Sequence, residues 1–262
     1  MNKRAIIACQ VFYREVLDIV DEQEMRVEFL PQGLHNLPDE TDMKEEIQAK
    51  IDQLEAEGYE LIILGYGYCS GGIEGLTTAQ AKLIVPVTDD CISLLTGQLG
   101  SEFCREATYY LSRGWIDCGG DPYKQYLFLT NQEGNWKKRF REYENQNKNA
   151  LVEWYKHPEY RSNQDYDEET ARYIIYECLK GYDSIKLIDN GNLAPIHFDY
   201  AEKMHKFCSG ILKEYGTASL DYQVVSGQLK FLEKLFTISS QAEIEKSDRL
   251  KLFSPKNPVE IK

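Results

Sequence analysis

The feature that most restricts how this chain folds is a set of three short apolar runs, each leading into a turn with a cysteine. The runs and their cysteines are residues 4–8 with Cys9, residues 61–64 with Cys69, and residues 83–87 with Cys91. Continuous apolar runs of this length are typical of parallel strands buried on both faces. The sequence therefore predicts three such strands, whose following turns carry the three thiols.

Segments with helical spacing separate the predicted strands. Apolar residues recur every three to four positions over residues 43–57, and Gly58 follows where a helix commonly ends. The second half alternates too, with a charged helical region at about 136–180, strands at 184–188, 220–225 and 250–253, and helices at 198–214 and 228–236. The alternation predicts an α/β fold, a Rossmann-like parallel sheet with helices on both faces.

The length of 262 residues leaves two domain arrangements open. The chain is long enough for one continuous α/β domain or for two α/β lobes that frame a cleft. The polar stretch at about 131–150 is the weakest point of the pattern. We therefore place a boundary there, with an N-terminal lobe of residues 1–135 that carries the cysteines and a C-terminal lobe of residues 136–262.

The charge of the chain excludes one class of partner. The 43 acidic and 30 basic side chains give a formal net charge of −13, and no stripe of lysine and arginine reverses it locally. Such a charge repels the phosphates of nucleic acids. We therefore expect no nucleic-acid partner.

The apolar runs are too short for a membrane protein. Residues 61–64 fall far below the roughly 20 apolar residues that cross a bilayer. The apolar start at residues 5–8 is also too short for the core of a secretory signal. The sequence predicts a cytoplasmic protein with no membrane partner.

The cysteine content predicts free thiols rather than disulfides. Seven cysteines are an odd number, and no C-x-x-C pair is present. Any shared thiol site must therefore be assembled by the fold. Ligands of open parallel sheets bind at the carboxyl ends of the strands, and converging thiolates there repel one another unless a cation binds them. We predict a metal site of Cys9, Cys69 and Cys91 for zinc or an iron–sulfur cluster.

Other polar residues are candidates to complete this site. His35, after the second strand, is a candidate fourth ligand or catalytic acid–base, and Asp90 is a candidate catalytic or supporting residue. Cys118 is a candidate fourth thiolate. His197 has no matching partner in the pattern and is predicted to be structural or on the surface.

The loop after the second apolar run is rich in glycine. Gly67, Tyr68, Gly71 and Gly72 are candidate cofactor-binding residues, because glycine lets a ligand approach the backbone. The simpler alternative is that these glycines only permit a tight turn between strand and helix. The spacing does not match G-x-G-x-x-G, so NAD is not predicted.

Several motifs together resemble one uncharacterised family, the domain-of-unknown-function family 1638. The motifs are Ala8-Cys9, residues 34–38, residues 65–72, Asp90-Cys91, residues 108–111, residues 181–183 and residues 187–189. The resemblance covers most of the chain. It implies a protein of anaerobic bacteria or archaea that is often encoded beside corrinoid-dependent methyltransferase components, and hence a link to one-carbon chemistry. Relatives usually have histidine or aspartate before the third cysteine, the position that Asp90 holds.

These observations leave four functions open. The leading hypothesis is a metal-binding protein, an enzyme or not, whose three-cysteine site meets a small substrate or a corrinoid in methyl transfer. A second is a binding or delivery protein for a metal or corrinoid that catalyses nothing. A third is an enzyme with a nucleophilic cysteine and His35 as its base. The last is a scaffold in which the thiols only pack, as single buried cysteines usually do.

Overall fold

The computed structural model describes most of the chain in two compact units. The described residues are 3–21, 24–36, 40–97, 107–147, 150–156, 166–238, 244, 247 and 249–260. One unit comprises Met1–Phe103 with Gly227–Lys262, and the other comprises Cys104–Ser226. This division differs from the boundary placed near residue 135. The polar stretch there forms a helix, Gly134–Gln146, whose Trp136 and Phe140 are buried in the core of the second unit.

The first unit is built on a five-stranded sheet with the order β2-β1-β3-β4-β8. The strands are β1 (Arg4–Cys9), β2 (Arg26–Leu30), β3 (Leu61–Gly65), β4 (Lys82–Pro86) and β8 (Leu250–Phe253). The first four are parallel, and β8 pairs antiparallel with β4. Its helices are α1 (Tyr13–Ile19), α2 (Glu40–Ala56), α3 (Cys91–Thr96) and α9 (Lys230–Thr237).

The three apolar runs form the centre of this sheet. Ile6, Ile63 and Ile84 are completely buried, as expected for parallel strands covered on both faces. The isoleucines and their neighbours supply the hydrophobic free energy of the first unit, at about 25 cal/mol for each Å² of apolar surface removed from water. The predicted central strands are therefore confirmed, and they fix the sheet edge at which their turns emerge.

The second unit contains a three-stranded parallel sheet with the order β5-β6-β7. Its strands are β5 (Thr108–Leu111), β6 (Ser184–Asp189) and β7 (Asp221–Ser226). Its helices are α4 (Arg113–Cys118), α5 (Pro122–Leu129), α6 (Gly134–Gln146), α7 (Glu168–Leu179) and α8 (Pro195–Glu214). Aromatic residues are prominent in the core, where Trp136, Phe140 and Tyr200 lie with their ring centroids 5.0–6.0 Å apart.

The predicted α/β class is confirmed. The short helices α4 and α5 and the strand β5 were not predicted, because their apolar positions are few and are interrupted by polar and glycine residues. No helix in the described part of the chain is long and apolar enough to cross a membrane.

Candidate functional site

The sheet topology brings the three cysteine turns to one edge of the first unit. Strand β1 pairs with β3 up to Ala8 and Gly65, and β3 pairs with β4. Cys9 is the last residue of β1, Cys69 lies in the turn after β3, and Cys91 is the first residue of α3 after β4. The carboxyl ends of adjacent parallel strands therefore deliver all three residues.

Two backbone hydrogen bonds join the turn of Cys69 to the turn before Cys91. The amide of Tyr68 donates to the carbonyl oxygen of Thr88 at 2.7 Å, and the amide of Cys69 donates to that of Asp89 at 2.8 Å. These bonds extend the contact between β3 and β4 beyond the ends of the strands. The two turns are thus held together independently of any side chain.

Gly67 is required where these turns approach each other. A Cβ atom at Gly67 would lie 2.5 Å from Cα and 2.6 Å from N of Asp90. Both atoms belong to the backbone and have no rotamer with which to move away. A side chain at position 67 would therefore separate the two turns.

The other loop residues predicted to bind a cofactor also have local roles. Gly71 has a φ of +100°, which favours glycine. A Cβ atom at Gly72 would overlap the methyl group of Met43, and the hydroxyl group of Tyr68 donates to Oε2 of Glu74 at 2.9 Å. The turn geometry therefore accounts for these residues, and their binding of a cofactor stays a prediction.

Cys69 has an uncommon backbone conformation for a residue with a side chain. Its φ is +47°, in the left-handed region. Non-glycine residues in this region cost about 1–2 kcal/mol. The hydrogen bond from Cys69 to Asp89 helps to hold this conformation, and such local strain occurs often at functional sites.

Cys9 is almost completely buried, with 2% of its surface exposed. Burial raises the pKa of its thiol to about 12, against a smaller opposing effect of the hydrogen bond with the backbone of Val11. In the absence of a cation, Cys9 is therefore a neutral thiol near neutral pH, and it is a poor nucleophile.

The phenol of Tyr66 lies near two of the thiols. Tyr66 is 1% exposed, and burial raises its pKa well above the usual value. Charge on Cys9 and charge on Cys69 each add to this increase, so both sulfur atoms are within electrostatic range of the phenol. Tyr66 is therefore a buried neutral phenol in the neighbourhood of both cysteines.

Asp90 caps the helix that begins at Cys91. Its Oδ1 atom accepts hydrogen bonds from the amides of Ile92 and Ser93 at 3.0 and 3.1 Å. A side chain in this position satisfies amides that the first turn of a helix leaves unpaired. The cap fixes the backbone that presents Cys91, and a catalytic role for Asp90 stays a prediction.

The hydroxyl of Thr88 is a buried polar group in the same turn. Thr88 is 8% exposed, and its Oγ1 atom has no hydrogen-bond partner among the described residues. Buried hydroxyl groups are almost always paired with protein, water or a ligand. The hydroxyl of Thr88 is therefore available to water or to a small polar ligand.

His35 occupies a neighbouring position in the fold. It belongs to a 3-10 helix, Gln32–Asn36, which follows β2, the strand next to β1. The backbone therefore emerges at the same edge of the sheet as Cys9. The side chain of His35 lies outside what the structure describes, so its role as ligand or base stays a prediction.

The turns of the three cysteines lie at one edge of the sheet, but among the described residues the side chains form no set of metal ligands. Within the described ranges, no three side chains of histidine, cysteine, aspartate or glutamate are arranged to hold a metal ion. The donor chemistry nevertheless fits zinc or an iron–sulfur cluster, which both prefer cysteine sulfur. Cys69 and Cys91 are only partly buried, so an incoming ion has access to them.

The remaining cysteines lie elsewhere in the chain. Cys118 ends α4 in the second unit, with Sγ 3.6 Å from the carbonyl oxygen of Leu151. Cys178 is exposed on α7 and Cys208 is buried on α8, whereas Cys104 lies outside the described residues. The structure records no disulfide bond among the cysteines that it describes.

A buried polar network in the second unit was not predicted. Nε2 of His197 is 3.1 Å from Oδ1 of Asp117, and Nε of Arg113 is 3.5 Å from Oδ2 of the same carboxylate. The amide of Ala194 donates to Nδ1 of His197 at 2.7 Å, so Nε2 carries the proton and donates to Asp117. Nδ1 therefore caps the start of α8 while Nε2 joins α8 to α4, so both imidazole nitrogens have structural roles.

Lys124 extends this polar network and is 1% exposed. Its ammonium group donates to three carbonyl oxygens at the end of α4, those of Trp115, Ile116 and Gly119, at 2.8–3.1 Å. It also pairs with Asp121 at 3.1 Å. No local spacing marks the contact of His197 with Asp117, since the two residues are 80 positions apart in the sequence.

The sequence model of one protein family matches most of the chain. The model, described as a protein of unknown function (DUF1638), matches residues 29–236. The chain belongs to the DUF1638 family. The resemblance predicted from the motifs is thereby confirmed, and the matched region includes the turns of Cys69 and Cys91 but begins after Cys9. No curated protein and no solved structure matches the chain.

Proposed function

We propose that this DUF1638 protein binds zinc or an iron–sulfur cluster through Cys9, Cys69 and Cys91. The observation that carries the proposal is the pair of hydrogen bonds from Tyr68 and Cys69, in the turn after β3, to the turn after β4, because β3 also pairs with β1. Three thiols at one edge of a parallel sheet occupy the place where such folds bind ligands. A cation also removes the repulsion between neighbouring thiolates.

The burial of Cys9 supports a cation rather than a free thiolate. With a pKa of about 12, this thiol loses its proton near neutral pH only if a positive charge replaces it. Metal binding would therefore release a proton from Cys9. Cys69 and Cys91, which are less buried, would supply the accessible side of the site.

The reaction that we propose is methyl transfer in corrinoid-linked one-carbon metabolism, in the cytoplasm. Its support is the resemblance to a family whose members are often encoded beside corrinoid-dependent methyltransferase components. When bound, zinc would activate a thiolate as the acceptor of a methyl group from a methylated corrinoid, whose cobalt would keep the electron pair of the broken bond. The chain itself would orient the substrate through the hydroxyl of Thr88.

The metal content of the purified protein tests this proposal. The protein is prepared without oxygen, and zinc, iron and cobalt are measured in the native chain and in a Cys9→Ser, Cys69→Ser, Cys91→Ser triple variant. We expect close to one metal ion or cluster for each chain, absent from the triple variant. Cys178→Ser removes an exposed thiol outside the site and should retain the metal. A native protein that neither contains nor takes up metal would refute the proposal.

The strained backbone of Cys69 favours a second candidate, a nucleophilic cysteine. Its left-handed conformation and partial exposure are features of reactive residues, whereas the pKa of Cys9 makes that thiol unsuitable. Alkylation by iodoacetamide separates the two candidates. A metal site predicts that bound metal protects both Cys69 and Cys91, whereas a lone nucleophile predicts fast modification of Cys69 that metal does not slow.

Metal binding without turnover would point to a delivery protein. In that case the protein would bind zinc or cobalt through the three thiols and would pass it, or a corrinoid, to an acceptor. Methyl transfer assays compare the native chain with the triple variant. A native chain that binds metal without transferring a methyl group would be a delivery protein, whereas transfer that the triple variant loses would be catalysis.

A further inference from the structure

The edge strands of the two sheets differ in how well they are protected from pairing with another chain. Strand β2 carries the ion pair of Arg26 and Glu28, β8 is four residues long with Lys251 in it, and β5 is also four residues long. Short length and charge are common ways of preventing edge-to-edge association. β7 is six residues long, with no lysine and no proline, and has a single charge at Asp221.

The side chains of β7 are also unusually exposed for a parallel strand. Parallel strands are normally buried on both faces. In β7, Asp221, Gln223, Val224 and Ser226 are exposed, and Val224 has 48% of its surface in contact with solvent. Val224 is one of two large hydrophobic side chains that are exposed in the described part of the chain.

Successive residues of β7 direct their backbone N–H and C=O groups alternately toward β6 and toward solvent. The amide of Asp221 donates to the carbonyl oxygen of Asp183, at the start of β6, at 2.9 Å. In a parallel ladder, residues that bond to the neighbouring strand alternate with residues that point away. Tyr222, Val224 and Ser226 therefore direct their amide and carbonyl groups outward, where no described strand pairs with them.

We propose that β7 pairs antiparallel with β7 of a second copy of this chain, about a two-fold axis at Val224. In this register Val224 lies opposite Val224 of the partner subunit, and Tyr222 lies opposite the partner's Ser226. In each of these pairs, each residue donates its N–H to the carbonyl oxygen of the other, because the amide and carbonyl groups of all three residues point away from β6. The two three-stranded sheets become one continuous sheet, and the exposed valine is covered by its own symmetry mate.

The charges on the strand are compatible with self-pairing. The only ionic side chain of β7, Asp221, lies at the start of the strand. In this register it lies opposite Gly227 of the partner subunit rather than opposite another charge. Like charges directly opposite each other would destabilise the pair. The net charge of −13 on each chain opposes association at long range, so added salt should strengthen the dimer by screening it.

Charge substitutions at Val224 test the proposal in solution. Light scattering after gel filtration should give the native chain twice the mass of 30.4 kDa, whereas Val224→Lys and Val224→Asp should each give a single chain. An equimolar mixture of the two variants places lysine opposite aspartate and should restore the double mass. Gln223→Lys, with its side chain on the other sheet face and no lysine opposite it, should remain dimeric.

Two results would overturn the proposal. One is a native chain that stays at 30.4 kDa at the highest concentration measured, in both low and high salt. The other is a Val224→Lys variant that is as dimeric as the native chain. Unchanged circular dichroism and thermal unfolding in both Val224 variants would show that a loss of mass reflects lost pairing rather than lost folding.

Discussion

The amide of Cys69 donates a hydrogen bond to the carbonyl oxygen of Asp89 at 2.8 Å, across the gap between two consecutive strand turns. This bond holds the thiol of Cys69 in the turn beside Cys91. It also maintains a left-handed backbone at Cys69, with a φ of +47°. The site we propose depends on this contact between turns, and so the first predictions test it.

Gly67→Ala should lower the free energy of unfolding by about 1–3 kcal/mol. The new Cβ would lie 2.5 Å from the Cα of Asp90, and the two backbones would have to separate. Gly210→Ala is the matched control, since Gly210 is an exposed residue of α8 with no atom within 4 Å of an added Cβ. That control should raise the free energy by about 0.5–1 kcal/mol. Urea denaturation measures both, and equal effects would contradict the close approach.

Cys69→Gly should be more stable than Cys69→Ala by about 1 kcal/mol. Both variants remove the thiol, but only glycine adopts the positive φ without strain. Urea denaturation of the two variants in parallel isolates the backbone contribution. Equal stabilities would show that the backbone at Cys69 is not left-handed.

Zinc affinity should increase with pH over the range 6–8. Burial raises the pKa of Cys9 to about 12, so the folded protein holds this proton throughout that range and must release it to bind metal. For each proton that zinc displaces, the association constant for zinc should rise about tenfold with each unit of pH. Competition with a coloured chelator measures the slope, which should fall by about one proton in Cys9→Ser. An affinity that does not change with pH would mean that Cys9 is no ligand.

Asp117→Ala should destabilise the protein by about 3–5 kcal/mol, because it leaves the nearby Arg113 charge buried without this carboxylate. Asp199→Ala breaks an exposed ion pair with Arg139 and should change stability by less than about 1 kcal/mol. Thermal unfolding compares the two. Similar small losses would contradict a structural role for the buried network.

Much of the first unit could be predicted from its sequence because hydrophobic pattern and structure agree there. The runs that end at Leu64 and Val87 correspond to β3 and β4, and the strand predicted at residues 250–253 is β8. Continuous apolar runs identify buried parallel strands directly. The order of strands in an α/β sheet then places the turns at one edge.

The second unit was harder to predict because its contacts are distant in sequence. Strand β5 is four residues long and carries two tyrosines that are only partly buried, so it has no clear strand pattern. Asp117 and His197 interact across 80 positions. The first unit is also discontinuous in sequence, since the chain returns to it after β7. Only tertiary packing determines these features.

The cysteine edge was predictable in its position but not in its detail. The pattern places Cys9, Cys69 and Cys91 after neighbouring strands, and the topology agrees. Neither the positive φ of Cys69 nor the raised pKa of Cys9 follows from spacing, because each depends on burial and on contacts between turns. The cap formed by Asp90 had a sequence signal, an aspartate directly before an apolar helix.

The X-ray absorption spectrum of the protein loaded with one equivalent of zinc shows directly whether the three cysteines bind the metal. We expect sulfur ligands at about 2.3 Å from the zinc. We also expect one fewer sulfur ligand in each of the variants Cys9→Ser, Cys69→Ser and Cys91→Ser, and no change in Cys178→Ser. A zinc shell made only of nitrogen and oxygen, or a sulfur shell that the three substitutions leave intact, would contradict binding by the three cysteines.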